Sequence, residues 1–287
     1  MTIAFDYPLA AEISRNVAAA LAEDVGAGDL TASLVPGGRQ VKANVICREP
    51  GVLCGRAWFD ECVVRLDPTA RVTWHAADGE RIVANQLLCE IDGNGRALLT
   101  AERSALNFLQ LLSAVASKAR LYADAIAGTK AQVVDTRKTL PGLRIAQKYA
   151  VRAGGGGNHR LALWDAILIK ENHIHAAGGI AQAMDAAREV AAGAADRCKF
   201  IQVEVESLDE LNQALNAGAT MILLDNFAND LLREAVAINA GRAVLEASGN
   251  VTLETIRAIA ETGVDRISVG ALTKDVKALD LSMRFVG

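Results

Sequence analysis

The second half of the sequence repeats a unit of one strand and one helix, and this repeat constrains the fold more than any other feature. Short apolar runs alternate with helical patterns, which predicts parallel strands joined by crossover helices. The polar ends of four successive runs, Glu204, Asp225, Ser248 and Gly270, lie 21, 23 and 22 residues apart. The six runs are AQVVD, AILIK, FIQVEVE, MILLD, AVLEAS and RISVG. An α/β barrel is the simplest fold for this repeat, although six strands are fewer than an ordinary barrel contains, and a doubly wound open sheet is the alternative.

The first half of the sequence has a different pattern. Apolar positions at helical spacing predict an amphipathic helix from Leu9 to about Glu23. Short β-branched segments separated by turns, such as Glu49-Pro50-Gly51, then predict a sheet. A helix is predicted from Ala101 to Ala127, with Gly128 as its end, and we place the domain boundary inside it.

Composition excludes several classes of protein. A chain of 287 residues with 51% hydrophobic content can bury a full core. The five cysteines are odd in number and never form a CxxC pair, which argues against a disulfide framework or a structural zinc site. The start of the chain lacks the pattern of a signal peptide, and no stretch is apolar enough to span a membrane, so we expect a cytoplasmic protein. A net charge of -4 argues against nucleic-acid binding.

Positive charge is concentrated in one segment of this acidic chain. Between Thr136 and Lys170 the sequence contains seven cations and one acid, Asp165, which gives a net charge of +6. Such a focus of charge suggests an anionic small-molecule substrate. The seven cations are Arg137, Lys138, Arg144, Lys148, Arg152, Arg160 and Lys170.

Polar residues follow nearly every predicted parallel strand. Ligands bind beyond the carboxyl ends of parallel strands both in barrels and in doubly wound sheets, so these residues are candidates for a binding site under either fold. They are Thr136, Arg137 and Lys138; Lys170, Glu171, Asn172 and His173; Glu204 and Glu206; Asp225 and Asn226; Glu246, Ser248, Gly249 and Asn250; and Gly270.

The charged candidates have distinct chemistries. Arg137 can grip a carboxylate or phosphate with two parallel hydrogen bonds and Lys138 adds a mobile point charge, although an exposed charged loop is the alternative. Lys170 ends an apolar run, and an inward cation at such a position implies an anion that meets it. Glu204 and Asp225 could share a hard cation or hold sugar hydroxyls, or they could neutralise the basic residues.

Three glycine-rich segments complete the set of candidates. Gly154 to Gly157 predict a flexible loop in which the backbone can approach a ligand, followed by His159 and Arg160. His159 alone is more typical of a structural histidine than of an acid or a base. Ser248-Gly249-Asn250 and Val269-Gly270-Ala271 could bind a phosphate through free backbone amides, or their small residues could serve close packing.

The stretch from residue 135 to 173, DTRKTLPGLRIAQKYAVRAGGGGNHRLALWDAILIKENH, closely resembles the quinolinate phosphoribosyltransferase family. The resemblance spans nearly the whole chain and includes LAEDVGAGDLTA, LLTAERSALNFLQLLS, EVE, LLDN, EASGN and DRISVGALTKDVKALDLSMRF. Ala162 and Trp164 replace smaller residues that are usual in the family, and AVAS stands where Gly-Ile-Ala-Thr is common.

The resemblance implies a fold, an assembly and a reaction. The fold is an incomplete α/β barrel of about six strands over residues 113–271, with an N-terminal open-faced α/β sandwich domain of residues 1–112 that is rejoined by residues 272–287. The assembly is a homodimer in which Arg103 reaches into the neighbour's site. The reaction transfers phosphoribose from phosphoribosyl pyrophosphate to quinolinate with loss of carbon dioxide, on the way to NAD.

The resemblance also implies roles for the candidate residues. Lys138, Lys170, Glu204 and Asp225 are implied as the catalytic residues, and Glu204 and Asp225 as holding magnesium and the ribose hydroxyls. The pyridine carboxylates are assigned to the partner's Arg103 and to Arg137, His159 and Arg160, with Lys138 and Lys170 near the carboxylate and pyrophosphate groups. Thr136 is implied as a further substrate-binding residue. The 5-phosphate is assigned to the backbone around Ser248, Gly249, Asn250, Val269, Gly270 and Ala271.

Two alternative functions remain open from the sequence. The chain could be a related pyrophosphorylase with a different acceptor, such as the relatives associated with molybdenum transport. It could also be a phosphate-binding barrel that acts as an isomerase or sensor, but that alternative leaves Arg103, Arg137 and Arg160 unexplained.

Overall fold

The computed structural model describes residues 3, 5, 7–194 and 197–286. The chain divides into two compact units. The first unit contains Met1–Arg120, Thr139–Gly155 and Ala271–Gly287, and the second contains Leu121–Lys138 and Gly156–Gly270. None of the described helices is both long enough and apolar enough to cross a membrane.

The first unit is built on an antiparallel sheet that includes the end of the chain. Its strand order is β12-β1-β5-β3, formed by β1 (Gln40–Cys47), β3 (Arg71–Trp74), β5 (Leu87–Asn94) and β12 (Leu281–Val286). Along β1, Ala43, Val45 and Cys47 are fully buried and alternate with more exposed residues, as expected for a sheet with one face on the core. Two further short strands, β2 (Gly51–Val52) and β4 (Arg81–Ile82), pair with each other.

Helices pack around this sheet. The helix predicted from Leu9 is present, but the long helix begins six residues before the predicted start. Asn94 explains this difference, because its side-chain oxygen accepts hydrogen bonds from the amides of Arg96 and Ala97 and so caps the helix. The helices of this unit are α1 (Leu9–Val25), α2 (Arg56–Leu66), α3 (Gly95–Ala125, whose last residues belong to the second unit), α4 (Arg144–Ala153) and α10 (Ala271–Lys274).

Residues 139–155 group with the first unit, whereas the sequence analysis placed them in the barrel. The reason is the helix α4, which the sequence analysis did not identify and which packs on α1 and α10. Six of its ten residues are buried, and buried Gln147 donates a hydrogen bond to the carbonyl of Thr273 at 2.8 Å.

The glycine run that follows α4 is a packing element rather than a flexible loop. An ideal Cβ on Gly154 would lie 2.3 Å from the carbonyl oxygen of Ala116 and 2.6 Å from the Cβ of Ala119, both on α3. Gly157 donates a hydrogen bond to the carbonyl of Val133 at 2.7 Å and an ideal Cβ on it would touch Gln132 at 2.9 Å. The glycines are therefore required because the backbone is approached closely by other protein atoms.

The described residues of the second unit form six parallel strands, as predicted. Their order in the sheet is β6-β11-β10-β9-β8-β7. Strands β7 to β11 are connected in chain order by the helices α5 (Glu171–Ala177), α6 (Ile180–Gly193), α7 (Leu208–Asn216), α8 (Asn229–Asn239) and α9 (Ile256–Ala260). In the described sheet β6 and β7 are the two edges and do not pair, so the barrel is incomplete. The strands are β6 (Gln132–Val134), β7 (Ile167–Ile169), β8 (Ile201–Val205), β9 (Met221–Asp225), β10 (Val244–Ser248) and β11 (Arg266–Ser268).

The two faces of this parallel sheet differ in polarity. One face carries only apolar side chains, and helices such as α6 and α7 pack against the sheet. The other face carries polar side chains at alternate positions, and two of them, Gln202 and Glu246, have no exposed surface. The polar face is therefore the enclosed interior of the incomplete barrel. It includes Gln202, Glu204, Asp225, Glu246, Ser248, Arg266 and Ser268.

The replacement Gly154→Ala tests the packing role of the glycine run. We expect it to lower the free energy of unfolding by about 1–3 kcal/mol, because the new methyl group meets backbone that cannot rotate away. Gly193→Ala is the matched control, since an ideal Cβ on Gly193 meets no atom within 4 Å. Urea unfolding of both variants measures the difference, and equal stability of the two would contradict the packing role.

Candidate active site

The strand register gathers predicted site residues at one edge of the interior. Ser248 pairs with Asp225 across β10 and β9, and Glu204 lies on the adjacent strand β8, on the same face. An ideal Cβ on Gly270 would lie 3.1 Å from Cδ of Lys138 and 3.6 Å from Oγ1 of Thr136. The carboxyl ends of the strands thus bring these residues into one region, and Gly270 leaves room for the Lys138 stem.

Lys170 directly follows strand β7, and its side chain reaches Glu204 on the polar face of the sheet, so the anion that meets this cation here is a protein carboxylate. Strand β7 ends at Ile169, and Lys170 is the first residue before α5, with an exposed side chain. Its ammonium nitrogen lies 2.5 Å from Oε2 of Glu204, whose side chain is only 14% exposed. Glu204 therefore neutralises a basic residue in this structure, and a ligand that uses either group has to compete with their ion pair.

Two arginines of like charge, Arg137 and Arg160, interact electrostatically beside these strand ends. Burial and the nearby charge of Arg137 lower the pKa of Arg160 from its ordinary value, while Asp165 and Glu204 oppose that shift. The Nε atom of Arg137 is buried and has no hydrogen-bond partner among the described residues. Two partly desolvated guanidinium groups that repel each other are stabilised when an anion binds between them. This pair is the strongest local evidence for an anion site.

His159, in contrast, is engaged by protein atoms on both sides of its ring. Its Nδ1 accepts a hydrogen bond from the amide of Arg160 at 2.7 Å, and its Nε2 lies 2.7 Å from Oε1 of Gln202. Its own amide donates to Oδ1 of the buried Asp135 at 2.9 Å, and the ring stacks edge-on with Phe200. The side chain is 8% exposed, so it lies beneath the site surface.

The segment from Ser248 to Asn250 forms a tight turn with unusual backbone angles. Gly249 has a φ of +110°, and an ideal Cβ on it would lie 2.1 Å from Oδ1 of Asn226. Asn226 and Asn250 also have positive φ values of 57° and 45°. Asn226 is tied to the turn because its amide donates to the carbonyl of Ser248 at 2.8 Å. The small residue at 249 is therefore explained by packing against Asn226.

Not every backbone amide predicted to bind phosphate is available. The amide of Val269 donates to the carbonyl of Val134 at 2.9 Å, so it is used in pairing β11 with β6. The prediction of a free amide at Val269 is thus wrong, because the sheet hydrogen bonds extend one residue past the end of β11.

Two of the predicted site residues, Arg103 and Ala271, belong to the first unit. Arg103 is exposed on α3 and lines a cleft of about 380 Å³ together with residues of α1 and of the loop before α4. Ala271 is the first residue of α10. Arg15 and Asn16 also line the cleft, and both donate hydrogen bonds to the carbonyl of Gly142.

The sequence analysis missed a buried polar layer below the strand ends. Glu246 was taken for a strand-end residue, but it lies in the middle of β10, is fully buried, and forms an ion pair of 3.2 Å with Arg266. Gln202 and Asp135 are also fully buried. The available signal was a polar residue inside an otherwise apolar strand, as in FIQVEVE and AVLEAS, since such a residue must face a polar interior.

Comparison with known proteins gives matches over most of the chain. The family model described as quinolinate phosphoribosyl transferase, N-terminal domain, matches residues 29–113, and that of the C-terminal domain matches residues 115–284. The nicotinate-nucleotide pyrophosphorylase [carboxylating] of Mycobacterium leprae is 43% identical, covering 92% of this chain and 94% of its own length. A probable enzyme of the same name from Bacillus subtilis is 40% identical, covering 91% and 89%.

Comparison with solved structures also finds a nicotinate-nucleotide pyrophosphorylase that matches nearly the whole chain. The nicotinate-nucleotide pyrophosphorylase from Francisella tularensis is 46% identical, with a TM-score of 0.93 and coverage of 98% of both chains.

Proposed function

The chain belongs to the quinolinate phosphoribosyltransferase family, and we propose that it joins quinolinate to the ribose of phosphoribosyl pyrophosphate. The products are nicotinate mononucleotide, carbon dioxide and pyrophosphate, a step in the de novo synthesis of NAD. The relatives named above carry this activity in their names, and the matched residues cover both domains. The single observation within this chain that carries the proposal is the pair of like-charged, partly buried arginines, Arg137 and Arg160.

Quinolinate fits this pair because it has two carboxylates on neighbouring ring carbons. A guanidinium binds a carboxylate through two parallel hydrogen bonds, so Arg137 and Arg160 can each take part in holding the acceptor while their mutual repulsion is relieved. We assign Arg103 of a second copy to the same acceptor, as the family resemblance implies. An isomerase or sensor that binds only a phosphate would leave these arginines without a function.

Phosphoribosyl pyrophosphate is assigned to the strand ends on the other side of the site. Glu204 and Asp225 are two carboxylates on adjacent strands, a donor set that suits Mg²⁺, since this ion uses one or two carboxylates and completes its shell with phosphate oxygens and water. The described residues contain no cluster of three or more His, Cys, Asp or Glu side chains that could hold a metal alone. When bound, the ion would neutralise the pyrophosphate and favour its departure.

The chain's own residues position the reactants and stabilise charge. We assign Lys138 and Lys170 to the leaving pyrophosphate, for which Lys170 would exchange its present partner Glu204 for a phosphate oxygen. The carboxylates of Glu204 and Asp225 then face the positive character that develops on the ribose. Orientation of two reactants in one site contributes up to about 7–11 kcal/mol to the lowering of a barrier.

The remaining steps follow from the chemistry of the acceptor. The ring nitrogen of quinolinate attacks the anomeric carbon, and the C–N bond forms as the C–O bond to pyrophosphate breaks. The resulting pyridinium withdraws the electron pair of the adjacent C–C bond, so the 2-carboxylate leaves as carbon dioxide and a proton replaces it. The 5-phosphate is assigned to the turn Ser248-Gly249-Asn250 and to Gly270 and Ala271.

We place the reaction in the cytoplasm. The five cysteines are free thiols, which suits a reducing compartment.

The reaction itself is tested by following carbon dioxide and nucleotide together. The purified protein, supplied with Mg²⁺ and phosphoribosyl pyrophosphate, should release labelled carbon dioxide from the 2-carboxyl of quinolinate in step with the formation of nicotinate mononucleotide. A nucleotide that retains both carboxylates, or no product with quinolinate at all, would refute the proposed function.

Glu204→Gln and Asp225→Asn test the assignment of the two carboxylates. Each change should weaken the binding of magnesium phosphoribosyl pyrophosphate far more than that of quinolinate, because a neutral amide is a poorer ligand for a hard cation. Titration calorimetry with each substrate measures the two affinities. Glu206→Gln, a nearby exposed carboxylate, is the control and should change neither. Equal losses for both substrates would instead favour a role in holding the basic residues.

The homodimer and the role of Arg103 are tested by mixing subunits. Arg103→Ala and Lys138→Ala proteins should each be inactive, and their mixture should regain activity because a mixed dimer has one site in which both residues are intact. Random exchange would give about a quarter of the wild-type activity, since half of the dimers are mixed and each has one complete site. Mixed dimers that are demonstrably formed yet inactive would disprove the cross-subunit assignment.

A further inference from the structure

The carboxylate of Asp135 connects the two segments that carry the site arginines. Asp135 directly follows β6 and has no exposed surface. Its Oδ2 accepts a hydrogen bond from the side-chain amide of Asn158 at 2.6 Å, and its Oδ1 accepts one from the backbone amide of His159 at 2.9 Å. One buried side chain thus holds both of the residues that precede Arg160.

This connection extends the backbone pairing between β6 and the segment after the glycine run. The amide of Gly157 donates to the carbonyl of Val133 at 2.7 Å, and the amide of Asp135 donates to the carbonyl of Gly157 at 3.1 Å, as in a parallel pair of strands. The next hydrogen bond of such a pair would join the His159 amide to the backbone carbonyl of Asp135. Here the Asp135 side chain accepts that hydrogen bond, so a carboxylate continues the pairing.

The His159 ring is held by other strands. Its Nε2 lies 2.7 Å from Oε1 of Gln202 on β8 and 3.6 Å from Oε1 of the buried Glu246 on β10. The segment that leads to Arg160 is therefore anchored to β8 and β10 through the ring and to β6 through Asp135.

The link to β6 is important because an arginine follows it on each segment. Arg137 comes two residues after Asp135, and Arg160 comes one residue after His159. Burial and the charge of Arg137 lower the pKa of Arg160, which indicates that the two guanidinium groups repel each other. A fixed link between the two backbones opposes the separation that this repulsion favours. It also reduces the entropy lost when both side chains close on one anion.

We infer that Asp135 is a positioning residue for the acceptor, which fixes the spacing of the backbone segments that carry Arg137 and Arg160. This inference rests on the proposed function. Asp135 has no exposed surface, so it acts through the residues that it holds and not by contact with quinolinate. The spacing of two cations matters for a dicarboxylate, whereas an acceptor with one carboxylate is less sensitive to it.

Asp135→Ala tests the positioning role. The loss of its hydrogen bonds should weaken quinolinate binding about tenfold or more, the value typical for a lost hydrogen bond to a positioned group. Binding of magnesium phosphoribosyl pyrophosphate, which is assigned mainly to the ends of β8 to β11, should weaken less than about threefold. The preference for quinolinate over nicotinate should fall as well, which a loss of stability alone would not cause. Calorimetry with each ligand measures these affinities.

Asn239→Ala is the matched control. The buried side chain of Asn239 also forms two hydrogen bonds, with the carbonyl of Ala243 at 2.8 Å and with its amide at 2.9 Å, but it lies before the first residue of β10. This change should lower the resistance to unfolding by urea and leave the quinolinate affinity unchanged. The control therefore separates a loss of stability from a loss of positioning.

An exchange of the two side chains tests the contact between Asp135 and Asn158 directly. Asn158→Asp alone places two carboxylates at the 2.6 Å contact and should weaken quinolinate binding at alkaline pH, where the pair does not share a proton. Adding Asp135→Asn should restore much of the affinity, because an amide at position 135 can donate to a carboxylate at position 158 and still accept from the His159 amide. These variants replace Asp135→Ala if that protein fails to fold.

The outcomes distinguish the inference from the function on which it rests. A wild-type protein that does not bind quinolinate would contradict the proposed function. A wild type that binds it, together with an unchanged quinolinate affinity in folded Asp135→Ala or equal losses for both substrates, would overturn the inference alone. The absence of recovery in the exchanged pair would also overturn it.

Discussion

The repulsion between the Arg137 and Arg160 guanidinium groups is the constraint on which the account of this protein depends. Two like charges in a partly buried setting cost free energy unless something fixes them and an anion compensates them. Burial and the charge of Arg137 lower the pKa of Arg160, and the buried Nε atom of Arg137 has no hydrogen-bond partner among the described residues. Much of the remaining structure can be understood as the scaffold that keeps these two groups in place.

That scaffold is an incomplete barrel with a polar interior. In an apolar interior, no side chain could form hydrogen bonds between the strands and the segment that contains His159 and Arg160. Here Asp135, Gln202 and Glu246 form these hydrogen bonds, and Arg266 compensates the charge of Glu246. The open side between β6 and β7 is where the chain leaves the sheet, passes through Gly157 and reaches His159 and Arg160. Arg137, Arg160 and the carboxylates of Glu204 and Asp225 thereby belong to one compact unit.

Much of this organisation could be predicted from the sequence because it depends on the periodicity of apolar residues and on the number of residues between successive strands. The six parallel strands follow from apolar runs at nearly constant intervals, and the position of Glu204, Asp225 and Ser248 at strand ends follows from the same count. The start of α3 was predicted too late, since Asn94 caps the helix through a side-chain hydrogen bond that periodicity does not reveal. The role of the glycine run was also misjudged, because flexibility and close packing require the same residue type.

The pairing of side chains could not be predicted, because it depends on distances between strands that are far apart in sequence. Lys170 carried the signal of an anion-binding cation, yet its present partner is Glu204. Glu246 was listed among the polar residues at the strand ends, although it lies two residues before the end of β10 and is fully buried.

The measurement that tests the central claim most directly is a comparison of quinolinate and nicotinate affinities by calorimetry in the presence of Mg²⁺. Nicotinate lacks the second carboxylate, so its binding would leave part of the arginine charge desolvated and unpaired. Breaking a buried charge pair costs about 3–5 kcal/mol. The arginines are only partly buried, so we expect the lower part of this range, which corresponds to at least a roughly hundredfold preference for quinolinate. The account predicts that Arg160→Ala removes most of this preference. Comparable affinity of the wild type for the two acids would contradict it.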